Sequence, residues 1–464
     1  MHRMKWCAVA LALAALPAQG QEAEVIQLRE QLRALQQQLQ QLEKRLDAAE
    51  AKSRKAEEGA ARAESARDVA AQPAESRPQA QNALNPGISA ILNGVYANLK
   101  RSPNAYALSG FVPTGGEVAP PPRGLSLGES ELGFTANVDP MFRGTLVAAI
   151  SPDDNSVAVE EGYIQTIGLS NGFTLKAGRF FSDIGYQNRI HAHAWDFTDA
   201  PLVLKAFLGG QLGEDGVQFK WVAPTSVYFD LGAELGRGRA FPATTRDRNG
   251  FGSANAFAHL GGDIDESWAW QAGLSLFSTS PRDRTYTDTD SRGASVTDSF
   301  SGTSRTWAAS GVLKWAPEGN PTDRNLKLQG EYFRRKESGT LTYDTQAASL
   351  GTRAGDYASR QSGWYAQAVY QFVPMWRAGY RYDELDSGVT TLGLVDSGAL
   401  AAADLPILGA YKPRRHTVMV DWSPSEFSRV RLQLARDYSR MNFPDNQLFL
   451  QYIVSLGAHG AHTF

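Results

Sequence analysis

The sequence has little of several things that many protein functions require. Among its 464 residues there is one cysteine, Cys7, so intrachain disulfides and clusters of thiolate metal ligands are excluded. Lysine and arginine number 46 against 49 acidic residues, with no basic stripe, so nucleic-acid binding is not expected. No phosphate-cradling glycine loop or zinc-protease motif occurs, and no context singles out a catalytic nucleophile. The sequence therefore predicts neither an enzyme nor a bound cofactor.

Long apolar runs are also lacking. Cys7–Leu16 is an unbroken apolar run but is too short to span a bilayer, and no later segment has the roughly 20 apolar residues that a membrane helix needs. A basic start precedes this run, and Ala18-Gln19-Gly20 follows it with the small-x-small pattern of a cleavage site. Residues 1–20 are therefore predicted to be a secretory signal peptide. An exported chain without a membrane helix is expected to be periplasmic, secreted or an outer-membrane β-barrel.

Residues 21–68 carry a heptad pattern. Apolar residues recur at alternating spacings of three and four, which is typical of a coiled coil: Val25, Leu28, Leu32, Leu35, Leu39, Leu42 and Leu46. The other face is mainly Gln, Glu, Arg and Lys, which favours a coiled coil over a single helix packed on its own domain. Residues 69–86 are rich in Ala, Gln and Pro without periodicity and are predicted to be a linker. We expect a periplasmic coil ahead of a separate domain at 87–464.

Residues 87–464 consist of short alternating segments. Tight turns such as Asp139-Pro140 alternate with longer polar connections such as 101–124, as a transmembrane β-barrel requires. Sixteen strands are counted, beginning near Ile88, Leu127, Phe142, Val157, Phe173, Gly216, Ser226, Ala254, Trp268, Arg305, Asn325, Gln361, Met375, Arg414, Phe427 and Leu448. The predicted fold is all-β, a sixteen-stranded antiparallel transmembrane β-barrel preceded by an α-helical coiled coil.

Two features favour a membrane barrel over a soluble β-sandwich. Six tryptophans lie within a few residues of a short turn, where an interfacial aromatic girdle belongs: Trp221, Trp268, Trp270, Trp315, Trp376 and Trp422. The last strand has an apolar stripe and ends on Phe464, so it resembles the closing strand of bacterial outer-membrane barrels. By that resemblance, Phe464 is the signal that the barrel assembly machinery recognises.

The order of signal, short coil, linker and sixteen-stranded barrel resembles the phosphate-selective porin O/P-like family. The stretch GFTLKAGRFFSDIGYQN, from Gly172, is similar to the strand before the third loop of such porins. The resemblance implies a trimer in the bacterial outer membrane that allows passive diffusion, in contact with lipid and lipopolysaccharide. Since the third loop of porins folds inward, it also implies a constriction within Asp183–Gln211, with these candidate pore-lining residues: Arg189, His191, His193, Asp196, Asp199 and Lys205.

The charge pattern departs from that family, whose members share a ladder of cationic lumen residues. Here acidic residues outnumber basic ones, and the inward faces are mixed. Four arginines on nearby late strands are candidates for a local cationic wall that would influence ion selectivity: Arg377, Arg381, Arg429 and Arg431. The alternative is that these charges only hydrate the lumen and pair across strands, so weak selectivity is expected.

His191 and His193 are also candidate metal ligands. They stand two residues apart on an expected extended segment, with Asp196 and Asp199 nearby, and imidazole and carboxylate are competent Zn²⁺ ligands. The spacing alone does not specify a site, and the alternative is a packed loop with hydrated histidines. Two other functions stay open. One is an energy-coupled receptor for a metal ion or chelate, which needs about 22 strands and a plug. The other is a structural tether between envelope layers.

Overall fold

The strands form a closed barrel. The computed structural model describes residues 86–116, 118–151, 156–247 and 249–457. Its 18 strand segments form one antiparallel sheet. Closure occurs at β1 (Gly87–Leu99), which pairs on one edge with β18 (Asp445–Gly457) and on the other with β2 (Gly124–Leu127) and β3 (Ser130–Asn137).

The other strands follow the chain order: β4 (Phe142–Ser151), β5 (Ser156–Thr166), β6 (Phe173–Phe181), β7 (Gly213–Val222), β8 (Tyr228–Gly236), β9 (Ser253–Asp263), β10 (Trp268–Thr279), β11 (Arg284–Thr289), β12 (Ser295–Trp315), β13 (Asn325–Tyr343), β14 (Arg353–Val373), β15 (Trp376–Leu392), β16 (Arg414–Ser425) and β17 (Ser428–Asp437). The connections contain two short α-helices and six 3-10 turns among the described residues: α1 (Leu202–Leu208), α2 (Gly393–Asp396), Pro103–Ala105, Gln187–Arg189, Ala192–Ala194, Pro317–Gly319, Ala402–Asp404 and Pro406–Leu408.

The 18 segments amount to sixteen barrel strands. β2 and β3 pair one after the other with β1, so they occupy a single position in the wall. β10 and β11 likewise pair one after the other with β12. The prediction of an all-β, sixteen-stranded antiparallel barrel is confirmed.

Side chains alternate between the outside and the inside of the barrel. On β8, Leu231 and Leu235 are 42% and 40% exposed, whereas Asp230 and Glu234 between them are 0% and 3% exposed. Successive side chains of a strand point to opposite faces, so the apolar set lies outside and the charged set inside. The same arrangement recurs around the wall, with exposed leucine, valine and aromatic side chains on most strands.

Aromatic residues pair across strands at the end of the barrel with the short turns. Trp376 of β15 is directly opposite Trp422 of β16, with ring centroids 6.2 Å apart. Trp268 of β10 and Trp315 of β12 form an equivalent pair at 6.3 Å. The six predicted turn-proximal tryptophans therefore lie near one rim, as an aromatic girdle requires.

Two connections are shorter than the sequence predicts. The strand predicted to begin near Gln361 begins at Arg353, and β13 continues to Tyr343, so the connection between them is limited to 344–352. Likewise β12 begins at Ser295 and not near Arg305. The outward positions here are polar, for example Arg334 and Lys336, so no apolar alternation marks the strand. The ladder continues nonetheless because strand pairing satisfies the backbone polar groups.

Several predictions concern residues outside the described ranges. These are the signal at 1–20, the coil at 21–68, the linker at 69–86 except for its last residue, and Phe464. They stay predictions. Among the described residues, no helix has both the length and the apolar character to cross a membrane.

Candidate functional site inside the barrel

The connection from Asp183 to Gln211, between β6 and β7, lies inside the barrel; we call it the inner segment. The backbone N–H of Asp183 donates to Glu234 of β8 at 2.8 Å, and that of Leu202 donates to Asp383 of β15 at 2.9 Å. β8 and β15 are far apart in the sheet order. The inner segment therefore crosses the lumen from one wall to another.

An inward carboxylate holds the first turn of the inner segment. The backbone N–H groups of Tyr186 and Gln187 donate to the two oxygens of Glu331 on β13, at 2.8 and 2.9 Å. Gly185 precedes them with a φ of +73°, and a Cβ there would lie 2.2 Å from Glu331 Oε2. Buried backbone donors need acceptors, so wall carboxylates such as Glu331 fix the path of the segment.

The apolar part of the inner segment packs against apolar residues of the wall. All seven residues of α1 are buried. The Phe207 ring centroid lies 6.1 Å from that of Phe333 on β13, in one cluster with Phe277, Tyr365 and Leu385 from other strands. This burial explains why a connection between strands carries so many apolar residues.

The described residues of the connection at 100–123 also enter the barrel, although the sequence predicts only a polar connection there. Leu108 and Phe111 belong to the same apolar cluster as α1, and Thr114 Oγ1 donates to the carbonyl of Lys205 at 2.9 Å. A Cβ on Gly116 would lie 2.3 Å from the carbonyl oxygen of Gly209. The available signal was the short apolar run at 111–112 inside a polar stretch.

Asp199 is the anionic centre of the inner segment. Its carboxylate accepts from Lys205 Nζ at 3.0 Å, from Arg381 Nη2 at 3.1 Å and from Arg415 Nη1. Burial alone would raise the pKa of Asp199, but the charges of Arg415, Lys205 and Arg381 hold that pKa well below its usual value. Asp199 therefore stays ionised and fastens the segment to β15 and β16.

Asp196 makes a second set of ion pairs. It accepts from Lys327 Nζ of β13 at 2.9 Å and from Arg377 Nη1 of β15 at 3.1 Å. Burial favours the neutral acid, yet Lys327 and Arg377 outweigh it and lower the pKa of Asp196. Arg377 also forms a two-point pair with Asp421 of β16, at 3.0 and 2.6 Å.

The wall formed by β15, β16 and β17 is predominantly cationic. Arg429 Nη1 and Arg431 Nη2 both donate to the backbone carbonyl of Trp195, at 3.3 and 2.8 Å. Inward charges on these strands comprise five arginines and three aspartates: Arg377, Arg381, Arg415, Arg429 and Arg431 against Asp383, Asp421 and Asp437. We call this set the arginine wall.

The histidines of the inner segment meet a different wall. His193 Nδ1 lies 2.7 Å from Glu131 Oε1 of β3, and His191 Nε2 lies 3.0 Å from Glu161 Oε2 of β5. Glu160 of β5 also approaches His191 Nδ1, at 3.3 Å. The inner segment thus joins an acidic wall on β3 and β5 to the arginine wall on the other side.

The six predicted constriction residues all lie on the inner segment, but they divide into separate groups. Arg189 donates to Gln271 of β10 at 2.9 Å. Asp196, Asp199 and Lys205 belong to the cationic side. The expectation that the two aspartates accompany the histidines is wrong, because the arginines and lysines of the opposite side hold them. The histidine stretch is also not extended, since Ala192–Ala194 forms a 3-10 turn.

Comparison with known proteins finds a relative of this chain. No family model matches the chain. A protein of Aquifex aeolicus (strain VF5), described only as an uncharacterized protein, is 31% identical over 363 residues, which cover 74% of this chain and 70% of that protein.

Solved structures align over most of the chain at low similarity. OmpT of Vibrio cholerae aligns at 9% identity with a TM-score of 0.49, covering 82% of this chain and 100% of that one. The outer membrane channel DcaP of Acinetobacter baumannii aligns at 10% identity and 0.47, covering 80% and 97%. An anion-selective porin of Comamonas acidovorans aligns at 11% identity and 0.46, covering 80% and 99%.

Proposed function

This chain belongs to the family of the uncharacterized Aquifex aeolicus protein, and we propose that it is a bacterial outer-membrane porin. Small hydrophilic solutes and ions diffuse through it passively and with weak selectivity. One observation carries the proposal: a closed barrel exposes apolar side chains on its outside and buries charged ones within. Lipid chains cover such an apolar outer surface without a free-energy cost, whereas its exposure to water is unfavourable.

The inner segment is the constriction on this proposal. Its position across the lumen supports this role, since solutes must pass between it and the wall. The side chains of Arg189, Lys327 and Arg377 are about one fifth exposed, at 19%, 22% and 19%. These cations are the candidates for contact with a passing solute. The nearby Arg381, Arg429 and Arg431 add to the positive electrostatic potential around them.

Weak selectivity follows from the opposed charges of the two walls. The arginine wall attracts anions, and the acidic wall on β3 and β5 attracts cations. Rings of one charge sign select ions strongly, whereas two signs facing each other mainly orient a dipolar solute. The resemblance to phosphate-selective porins stays a prediction, and the mixed lumen argues against a strong preference for phosphate.

The partners follow from the same proposal. The chain contacts outer-membrane lipid and lipopolysaccharide, and the assembly machinery recognises its terminal Phe464. We propose a homotrimer. Strands β3 to β8 have 8 to 11 residues, whereas β12 to β15 have 17 to 21. The side of the barrel with the shorter strands, β3 to β8, is the proposed contact surface between the copies of the trimer.

The two alternatives have less support. A receptor of the energy-coupled kind needs about 22 strands, and the described barrel has sixteen. A tether would need no aqueous path at all. Conductance measurements separate both alternatives from a porin. The purified full-length protein, inserted in planar bilayers, is expected to give single-channel current steps whose size rises linearly with voltage. Reversal potentials in a KCl gradient are expected near zero. A barrel that inserts without any conductance would contradict the proposal.

A further inference from the structure

A cluster of histidine and glutamate side chains stands where the inner segment meets β3 and β5. His191 Nδ1 lies 3.2 Å from Glu131 Oε2 and 3.3 Å from Glu160 Oε2. His193 Nδ1 lies 2.7 Å from the other oxygen of Glu131. One donor atom each from Glu131, His191 and His193 falls within 4.8 Å of the others. Nitrogen and oxygen donors therefore converge on one small volume.

A β-bulge brings two consecutive glutamates to this cluster. The register between β4 and β5 shifts by one residue at Glu160. Val159 and Ile164 both lie outside, 42% and 52% exposed, although an odd number of positions separates them. In a regular strand Glu160 and Glu161 would point to opposite faces, but here both reach His191. Bulges commonly redirect side chains next to functional sites.

A second register shift turns Glu131 inward. Gly94 of β1 pairs with Leu127 of β2, and Ile91 pairs with Glu131 of β3, so three steps on β1 match four on the opposite strand. Leu127 and Leu132 consequently both face outward, at 57% and 36% exposure. β3 and β5, which lie on either side of β4, thus both depart from regular pairing, and each departure delivers a carboxylate to the histidines.

Glu161 orients His191 rather than competing for its other nitrogen. Its Oε1 accepts from the backbone N–H of Phe181 at 3.1 Å, and its Oε2 accepts from His191 Nε2 at 3.0 Å. With the Nε2 proton donated to Glu161, Nδ1 of a neutral imidazole presents its lone pair to Glu131 and Glu160. A carboxylate that fixes a histidine in this way is typical of the surroundings of protein metal sites.

We propose that His191, His193, Glu131 and Glu160 bind one divalent transition-metal ion of the Zn²⁺ class, with Glu161 orienting His191. A lone pair and two carboxylates face each other stably when a cation lies between them. Zn²⁺ bonds of about 2.1 Å in tetrahedral geometry place ligands about 3.4 Å apart, close to the spacings of 3.2 and 3.3 Å around His191 Nδ1. Two imidazoles favour such a metal over Ca²⁺ or Mg²⁺.

The partial exposure of His191 leaves a path by which an ion can enter the site from the lumen. The side chains of Glu131 and His193 are 5% and 6% exposed, while that of His191 is 21% exposed. An ion bound here would connect the inner segment to β3 and β5, just as Asp199 connects it to the arginine wall. Binding of an ion at this site does not require that solutes pass through the barrel.

The proposal is tested by direct binding. Full-length protein without an affinity tag, stripped with a chelator in detergent, is dialysed against Zn²⁺ and its metal content measured. The wild type is expected to bind one Zn²⁺ more per chain than H191Q/H193Q. Added Co²⁺ should produce an intensified visible absorption band in the wild type alone. E161Q, which keeps every proposed ligand, should weaken Zn²⁺ binding about tenfold or more.

H416Q is the matched control, since it removes one imidazole from the outward face of β16 and should bind Zn²⁺ as the wild type does. Each variant is first checked for folding by its heat-dependent migration on gels. If H191Q/H193Q does not fold, E160Q serves instead and is expected to lose Zn²⁺. Zn²⁺ content in folded H191Q/H193Q or E160Q equal to that of the wild type would overturn the proposal, because the cluster would then be an imidazolium–carboxylate network. Binding of Ca²⁺ in preference to Zn²⁺ would also overturn it, because oxygen donors alone would then define the site and the imidazoles would not be ligands.

Discussion

Arg381 holds Asp199 by two groups at once. Its Nη1 donates to the backbone carbonyl of Asp199 at 2.8 Å, and its Nη2 donates to the carboxylate at 3.1 Å. The two residues are 182 positions apart in the chain. One side chain of β15 thereby fixes both the backbone and the charge of the inner segment.

Asp199→Asn is expected to destabilise the barrel by about 3 kcal/mol, because it leaves buried cations without their partner. Lys205 is affected most, since Arg381 keeps Asp383 and Arg415 keeps Asp437. Denaturant titration measures the change. D386N, which breaks an exposed pair with Lys412, is the control and should cost less than about 1 kcal/mol. The double variant D199N/K205M should recover part of the loss; no recovery would mean that Lys205 is not the residue left uncompensated.

Acidification should remove the same contribution in a defined range. The pKa of Asp199 is lowered in the folded protein against about 3.9 when unfolded. A carboxyl whose pKa is lower in the folded protein than in the unfolded chain stabilises the fold at pH values above the unfolded-state pKa. That stabilisation is lost as the pH falls through the folded-state pKa. The difference in unfolding free energy between wild type and D199N should stay constant from neutral pH to about 4 and shrink below it. A difference that already shrinks near neutral pH would contradict the assignment.

Replacing Asp183–Gln211 with a short Gly-Ser linker should raise single-channel conductance severalfold, because the lumen loses its internal segment. Phe181 pairs directly with Gly213, so the ends of β6 and β7 are adjacent and a short linker can join them. The control replaces 344–352 with a Gly-Ser stretch of equal length and should leave conductance unchanged.

The cysteine-free mature chain expected from the sequence allows the same segment to be located by labelling. Thr198→Cys should react slowly with a bulky, membrane-impermeant thiol reagent, whereas Thr345→Cys should react rapidly. Efficient labelling of Thr198→Cys, together with unchanged conductance after replacement, would make the segment an external loop.

Arg429→Gln and Arg431→Gln should shift selectivity towards cations. A unit charge about 8 Å from an ion in water contributes about 0.5 kcal/mol, or about a twofold change in permeability ratio. Reversal potentials in a KCl gradient measure the shift. R436Q on the same strand is the control. The side chain of Arg436 lies on the opposite face of β17 from the inward residues and donates hydrogen bonds to Asn446 and Tyr438. A shift in R436Q equal to that of the inward variants would exclude an effect of the arginine wall.

Removing Phe464 should lower the amount of protein in the outer membrane without changing the conductance of the channels that do assemble. The reason is that, on the proposed function, Phe464 serves recognition by the assembly machinery. Quantitative immunoblotting of membrane fractions, with Phe443→Ala as a control for loss of an exposed aromatic, measures the effect. Normal abundance with altered conductance would contradict this role.

The sequence predicted the barrel well because alternation is a local property. Leu231 and Asp230 are adjacent, and a strand must place them on opposite faces, so the apolar exterior, the charged interior and the count of sixteen strands followed from neighbours alone. The arginines at 377, 381, 429 and 431 were assigned to the inside for the same reason. The inward position of 183–211, by contrast, was expected from the resemblance to porins and not from local alternation.

Only the tertiary structure decided which groups meet. Glu131 and His193 are 62 positions apart, and no local pattern pairs them. The bulge at Glu160 reverses the alternation that otherwise places a side chain, so the sequence would direct Glu160 and Glu161 to opposite faces. Asp199 was expected beside the histidines because it is near them in the chain, but the closed barrel brings Arg381 of β15 and Arg415 of β16 to it instead. Closure sets these distances, since strand order and register fix the position of each side chain across the lumen.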